Sequence, residues 1–270
     1  MATCADLGLV GTLLFSPLAQ STQAPHLQLD EVLYLYGVES QVEQIPAQIR
    51  SQMDSYEGTQ NPKAFEILKD VLPRAYAKDE LMASLRESFY RQSEGLDLSP
   101  SLEWLRGPLA ARISELEAEA SRPEAWDEMQ EYARESQDLD PESPRVQLFL
   151  ELDKAASVTE SGIRLLLEMA GATARGINRL APEKGQFPDE VLASRIQGIE
   201  AQIRPFFRES TRLLLQFKFR TLEDEEIRQY LEFVRSSEGQ WLQEAVIVSL
   251  VQALREAGDR AGYLIDERIK

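Results

Sequence analysis

The chain has 270 residues, 43% of them hydrophobic, and carries 46 Asp and Glu against 29 Lys and Arg for a net charge of −17. Such a length fits one large domain or two small ones, and the apolar share allows a sizeable core. A surface of that sign repels phosphate backbones and anionic lipid, so no nucleic-acid partner is expected.

The first residues read as a targeting segment. Leu7 to Leu18 is an apolar run of the length of a secretory h-region, too short to span a bilayer, and small and polar residues follow it up to Ala24. Residues 1–24 are therefore expected to be a signal peptide, although Met1 to Asp6 lacks the usual Lys or Arg. Beyond Ala24 no uncharged apolar stretch approaches about 18 residues, so no transmembrane helix is expected. Periplasmic or secreted localisation follows.

The periodicity is helical nearly throughout, which predicts an all-α, multi-helix bundle. Val32, Leu35 and Tyr36 belong to a helix stopping at Gly37. Val42, Ile45, Ile49 and Met53 continue at three-to-four spacing, with Pro46 marking a kink or a helix start. Phe65 to Tyr76 and Leu81 to Tyr90 form two further stripes, ended by breakers at Ser93–Pro100. Pro100 suits the first turn of a helix carrying Leu102, Trp104 and Leu105; Gly107-Pro108 breaks it, and Leu109, Ile113 and Leu116 follow. The acidic stretch from Glu115 to Glu142 suggests a hinge. Val146 to Leu152 alternates briefly but is followed by Asp153 and Lys154, which favours helix. Val158 to Ile177 combines a broad apolar face with Gly171, Ala172, Ala174 and Gly176, as expected of a central, closely packed helix. Pro205 is expected to punctuate the next stripe, and Thr221 with Asp224 resembles a capping box. A last long helix carries Trp241 through Ala257.

The halves repeat weakly. A helix with Leu102 and Trp104 ends at Gly107 and Pro108, and one with Leu231 and Phe233 ends at Ser236 to Gly239, about 129 residues later. Ile113 then corresponds to Leu242. Two related helical halves are expected, at 25–135 and 145–270, joined by an acidic linker at 136–144.

Leu222-Glu-Asp-Glu-Glu, Ile227, Phe233, Ser236 and Gly239-Gln240 resemble the exported bacterial family called domain of unknown function 2059. The match is best over 205–257 and weaker in the first half, where Ala110-Ala111 stands at Gly239-Gln240. The resemblance implies a helical protein of a Gram-negative periplasm and implies no reaction.

Little chemistry is offered. Cys4 is the one cysteine and His26 the one histidine, and His26 is read as an exposed linker residue. Ser-x-x-Lys and Gly-x-Ser-x-Gly are absent. Gly171 and Gly176 have phosphate-loop spacing, but Ile177 and Asn178 replace the lysine and hydroxyl. Zinc lacks ligands, and Asp138, Asp140 and Glu142 lack the glycine turn of a calcium loop. Glu223 to Glu226 are read as acids favoured at a helix start. No cofactor, metal or catalytic residue is assigned. Arg204, Arg208, Arg212, Lys218 and Arg220 are read as a solvated face. Trp104, Phe206, Phe207, Phe217, Phe219, Phe233 and Trp241 are read as core residues or as the lining of a groove between the halves.

The leading expectation is a non-catalytic exported protein that binds a partner protein or scaffolds the envelope. Alternatives are a carrier enclosing an apolar ligand between two halves and a carboxylate-dependent hydrolase. Export has a direct check: N-terminal sequencing of protein from a periplasmic fraction should begin near Pro25, and an intact Met1 on cytoplasmic material would remove the expectation.

Overall fold

The computed structural model describes residues 23–55, 62–122, 124–136, 140–181 and 183–269. It is 86% helical, with twelve α-helices and no strand among the described residues. In order these are α1 (Gln23–Leu35), α2 (Val38–Ser55), α3 (Pro62–Ala75), α4 (Lys78–Gln92), α5 (Ser99–Leu105) and α6 (Pro108–Ala120). There follow α7 (Ala125–Glu135), α8 (Pro144–Ala156), α9 (Val158–Leu180), α10 (Asp189–Lys218), α11 (Asp224–Arg235) and α12 (Ser237–Ile269). The expected leader lies outside the described residues apart from Gln23 and Ala24, which open α1.

The all-α bundle is thus present, with local departures. The acidic stretch read as a hinge contains α7, whose half-buried Met129, Tyr132 and Ala133 lie at helical spacing from buried Ala125. Pro205 does not interrupt α10. It is exposed and so is Ala201, one turn earlier, whose carbonyl loses the proline's missing N–H but can turn to water. The cap of α11 is Glu223 rather than Thr221: its side chain takes the backbone N–H three residues on, and Glu226 accepts from Glu223 N at 2.8 Å. Pro46 lies inside α2.

α12 organises the bundle. Its 33 residues extend about 50 Å at 1.5 Å per residue, and Leu242, Val246, Leu250, Leu254 and Ile265 are all buried. α3, α4 and α5 pack on one side and α9 on another. α4 runs antiparallel to it: Gln92 Nε2 donates to Ala245 O at 3.2 Å and to the fully buried Ser249 hydroxyl at 2.8 Å. α9 runs parallel to it, with Arg164, Glu168 and Arg179 pairing in turn with Glu244, Arg255 and Asp266.

Small residues set that approach. A Cβ added to Gly258 would lie 2.8 Å from Ala172 Cβ, and one at Gly176 would lie 3.3 Å from Ile265. On the other face of α9 a Cβ at Gly162 would meet the Phe207 ring at 2.6 Å. α10 returns antiparallel along this face, so α9 lies between α10 and α12, as its composition suggested.

Two apolar cores result. The larger combines α1 to α5 with α12 and Ala172; the smaller combines Ile113 of α6 with α8, α11 and the end of α10. The segments on either side of residues 136–144 therefore interlock. Of that stretch, residues 137–139 lie outside the described residues, and Pro144 opens α8. Arg145 clamps the α10–α11 turn, ion-pairing with Asp224 and donating to Leu222 O at 2.8 Å. Arg112 adds a bond to Thr221 O at 2.7 Å.

The two helix breaks have matching geometry. Gly107 has φ −69 and ψ 153, Ser236 φ −66 and ψ 160. Gly107 N donates to Trp104 O at 2.8 Å, as Ser236 N does to Phe233 O at 3.0 Å. Packing is reciprocal as well: Leu102 and Leu105 before the first break join the core of Leu242 after the second, while Leu231 and Val234 join that of Ile113. The ring planes of Trp104 and Phe233 stack on each other, 4.6 Å between centroids and 10° from parallel, at the junction of both cores. One position differs. A Cβ at Gly239 would fall 2.0 Å from Phe233 O, whereas Ala110 occupies the corresponding site.

Both aromatics are half-buried, so truncation to alanine should cost somewhat less than the about 3–5 kcal/mol of a fully buried ring. Because they face each other, Trp104→Ala and Phe233→Ala in a double-mutant cycle of urea unfolding should show about 0.5–1.5 kcal/mol of coupling. Strict additivity would mean that the stack contributes nothing.

Candidate functional site

Beside that stack lies a cavity of about 310 Å³. Its walls come from both sides of the 136–144 stretch. Tyr36 stands at the end of α1, where Gly37, at φ 76, turns the chain into α2. Ser114 and Glu117 descend from α6; Gly162 and Leu165 come from α9; Tyr230 and Phe233 come from α11; Val246 comes from α12. The lining is mainly apolar, with a few polar groups, which is the usual make-up of a small-molecule site.

Tyr36 and Tyr230 are its distinctive groups. Trp104 stacks 6.5 Å from Tyr230, and the Phe219 ring meets Tyr230 edge-on at 5.9 Å. Burial pushes both phenols well above their ordinary value, and the negative charge of Glu117 adds to the shift at each. Neither hydroxyl is hydrogen-bonded to protein among the described residues, and both remain open to solvent in the cavity. Glu117 faces Lys218, with 3.6 Å between carboxylate and ammonium. Ser114 spends its hydroxyl on Leu35 O at 3.1 Å.

Next to this cavity lies a polar recess of about 560 Å³, which shares Ser161 and Gln243 with it. Lys154, Ser157 and Arg235 line the recess. Ser157 joins α8 to α9 in the left-handed region (φ 46), the one non-glycine residue so placed among those described. Thr159 fastens this joint, donating its backbone N–H and its hydroxyl to Asp153, each at 2.8 Å. The first turns of α9 and α12 border the recess, and helix N-termini carry partial positive charge.

The residues singled out from sequence separate here. Phe233 lines the cavity, and Trp104 stacks on it. Trp241 instead packs 5.8 Å from Phe89 in the larger core, Phe207 lies under Gly162, and Phe206 is 75% exposed on α10. Phe217 and Phe219 are buried. Gly107 and Pro108 cap α6; Ser236 caps α12, its Oγ accepting from Gly239 N at 3.0 Å. His26 is exposed but belongs to α1 and lies 4.7 Å from the Tyr90 ring, so the linker reading is corrected. Glu223 and Glu226 serve the cap of α11. Among the described residues no three His, Cys, Asp or Glu side chains are grouped to hold a metal, and no helix is long and apolar enough to cross a membrane. Sequence reasoning missed the two tyrosines. The available signal was a phenol at the end of an otherwise apolar stripe, which needs a polar partner that the helix cannot supply.

No family model, curated protein or solved structure matches the chain.

Because the folded state holds both phenols neutral, the unfolded chain loses these protons first as pH rises through about 10. The stability they contribute is complete below that pH and is lost above it. Wild type should lose urea resistance between about pH 9.5 and 11, and Tyr36→Phe with Tyr230→Phe should lose less. Equal losses would show that the two phenols do not drive the alkaline sensitivity.

Proposed function

We propose that this chain is a non-catalytic helical binding protein whose cavity receives a small, largely apolar ligand. One observation carries the reading: an apolar cavity, built by helices from both sides of the central stretch, contains two phenol hydroxyls without protein partners. Its volume is at the lower edge of the about 300–1,000 Å³ of typical ligand sites. The Tyr36 and Tyr230 hydroxyls would satisfy themselves on the ligand, while Leu165, Phe233 and Val246 would exclude water from its apolar part. Glu117 is the single carboxylate lining this cavity, a poor basis for hydrolysis by paired carboxylates. In the proposal the protein is exported to the periplasm of a Gram-negative bacterium. It arose by internal duplication, as the matched breaks and the Trp104–Phe233 stack support, and it is kin to domain of unknown function 2059 through residues 205–257.

A partner-protein role is favoured by a different feature. Val191, Ile199 and Phe206 stand exposed along one face of α10, away from the cavity. Isolated exposed apolar residues are ordinary, but three at spacings of about two helical turns form a row.

Native mass spectrometry of the protein purified from its own periplasm tests the ligand reading. A bound mass of a few hundred daltons is expected, released by organic solvent and missing from Leu165→Trp, which fills the cavity. A ligand-free protein whose melting temperature no apolar compound raises would overturn it.

A further inference from the structure

We infer that α10 is a self-association surface on which a second copy of this chain docks antiparallel. Phe206 of each copy would lie over Val191 of the other, and Arg208 of each beside Glu190 of the other. The inference goes beyond the ligand reading and does not depend on it.

The N-terminal part of α10 carries a face that nothing among the described residues covers. Val191, Ile199 and Phe206 are exposed there, and so are Arg195, Gly198 and Gln202 between them. At 3.6 residues per turn the three apolar residues lie within about 80° of arc. Their row is palindromic. Val191 and Phe206, Arg195 and Gln202, and Gly198 and Ile199 are each equidistant from one point, midway between Gly198 and Ile199. An antiparallel helix pair with a two-fold axis at that point sets each residue against its counterpart, which is the self-complementarity that a two-fold dimer requires. A Cβ added to Gly198 would meet nothing within 4 Å, so Ile199 of the second copy has room to seat beside the axis.

Charge selects the same centre. Glu190 and Arg208 are exposed, and neither is in an ion pair among the described residues. The nearby carboxylate of Glu160 is taken by Arg204. Glu190 and Arg208 stand nine residues either side of Ile199, a separation of about five full turns that puts them on one flank of the helix. In an antiparallel two-fold pair like flanks face each other, so Glu190 of each copy meets Arg208 of the other. The centre given by the row and the centre given by the charges differ by half a residue, roughly 1 Å along the axis. An acid at a helix start is ordinary, and so is a lone exposed apolar residue. A shared two-fold centre is explained by a second copy and not by an unrelated partner.

Sedimentation velocity of the purified protein over a concentration series tests this. A contact of about five turns falls short of the roughly 1,200–2,000 Å² of a stable specific interface, so a reversible dimer dissociating in the micromolar range is expected. Phe206 is exposed, so Phe206→Glu should keep the circular dichroism of wild type and leave only monomer. Glu190→Arg or Arg208→Glu alone should weaken the dimer about 5–10-fold, because each reversal sets like charges together twice. Both reversals in one chain should restore it. A protein that stays monomeric at every concentration would overturn the inference. So would a dimer that survives Phe206→Glu, or one that the double reversal fails to restore. The ligand reading is judged separately, by the bound mass, and stands under either result.

Discussion

The close contact of α9 with α12 is the constraint on which the other packing depends. α12 is surrounded by helices that come before and after the central acidic stretch, so its sides cannot all carry large residues. Ala245, Ala253, Ala257 and Ala261 are buried along it, and Gly258 leaves no room for a Cβ against Ala172. Backbones that approach this closely gain many weak dispersion contacts and leave few voids. α9 repeats the device on its other face, where Gly162 admits Phe207. The parallel course of α9 and α12 then follows, and with it the placing of both N-termini at one end of the bundle.

That arrangement explains why open space remains where it does. Two helices starting side by side must each be reached by a chain from elsewhere, through the Ser157 joint and the Ser236 cap. Neither joint supplies a large side chain to plug the gap. The plug comes from the side, as Trp104 and Phe233, but two flat rings stacked 4.6 Å apart fill a slab rather than a sphere. The space beyond the slab is the cavity, and its phenols are the polar edge of this aromatic group.

Helices were legible in the sequence because the apolar stripes are strong; long-range relations were not. Proline and acid-rich stretches misled. Pro205 reads as a break, yet α10 passes through it because the lost hydrogen bond falls on a water-facing turn. α7 was hidden because it buries little more than Ala125, leaving Trp126 60% exposed. The cap of α11 was misplaced by two residues, since Thr221 is a good capping residue by type while Glu223 has the matching Glu226. At the site, Trp104 and Phe233 were recognisable as a corresponding pair from the breaks that follow them. Their mutual stacking was not, because periodicity within a helix carries no information on which helix lies opposite. The same limit hid Tyr36 and Tyr230, which are far apart in the chain and become neighbours through α6 and Glu117.

The reciprocal packing bears on why a site would form at the junction and not inside either half. Leu102 and Leu105 serve the core of α12, while Leu231 and Val234 serve that of α6, so each break delivers its preceding helix to the opposite side. Trp104 and Phe233, each three residues before its break, meet where the two cores join. One break has Ser236 and a Gly239 that no side chain could replace; the other has Pro108 and Ala110. α12 then continues for 33 residues and α6 for 13. The longer helix extends past the junction as the axis of the bundle, and the shorter one ends early enough to leave Ser114 and Glu117 facing open space. The cavity lies between the last turns of the short helix α6 and the early turns of the long helix α12.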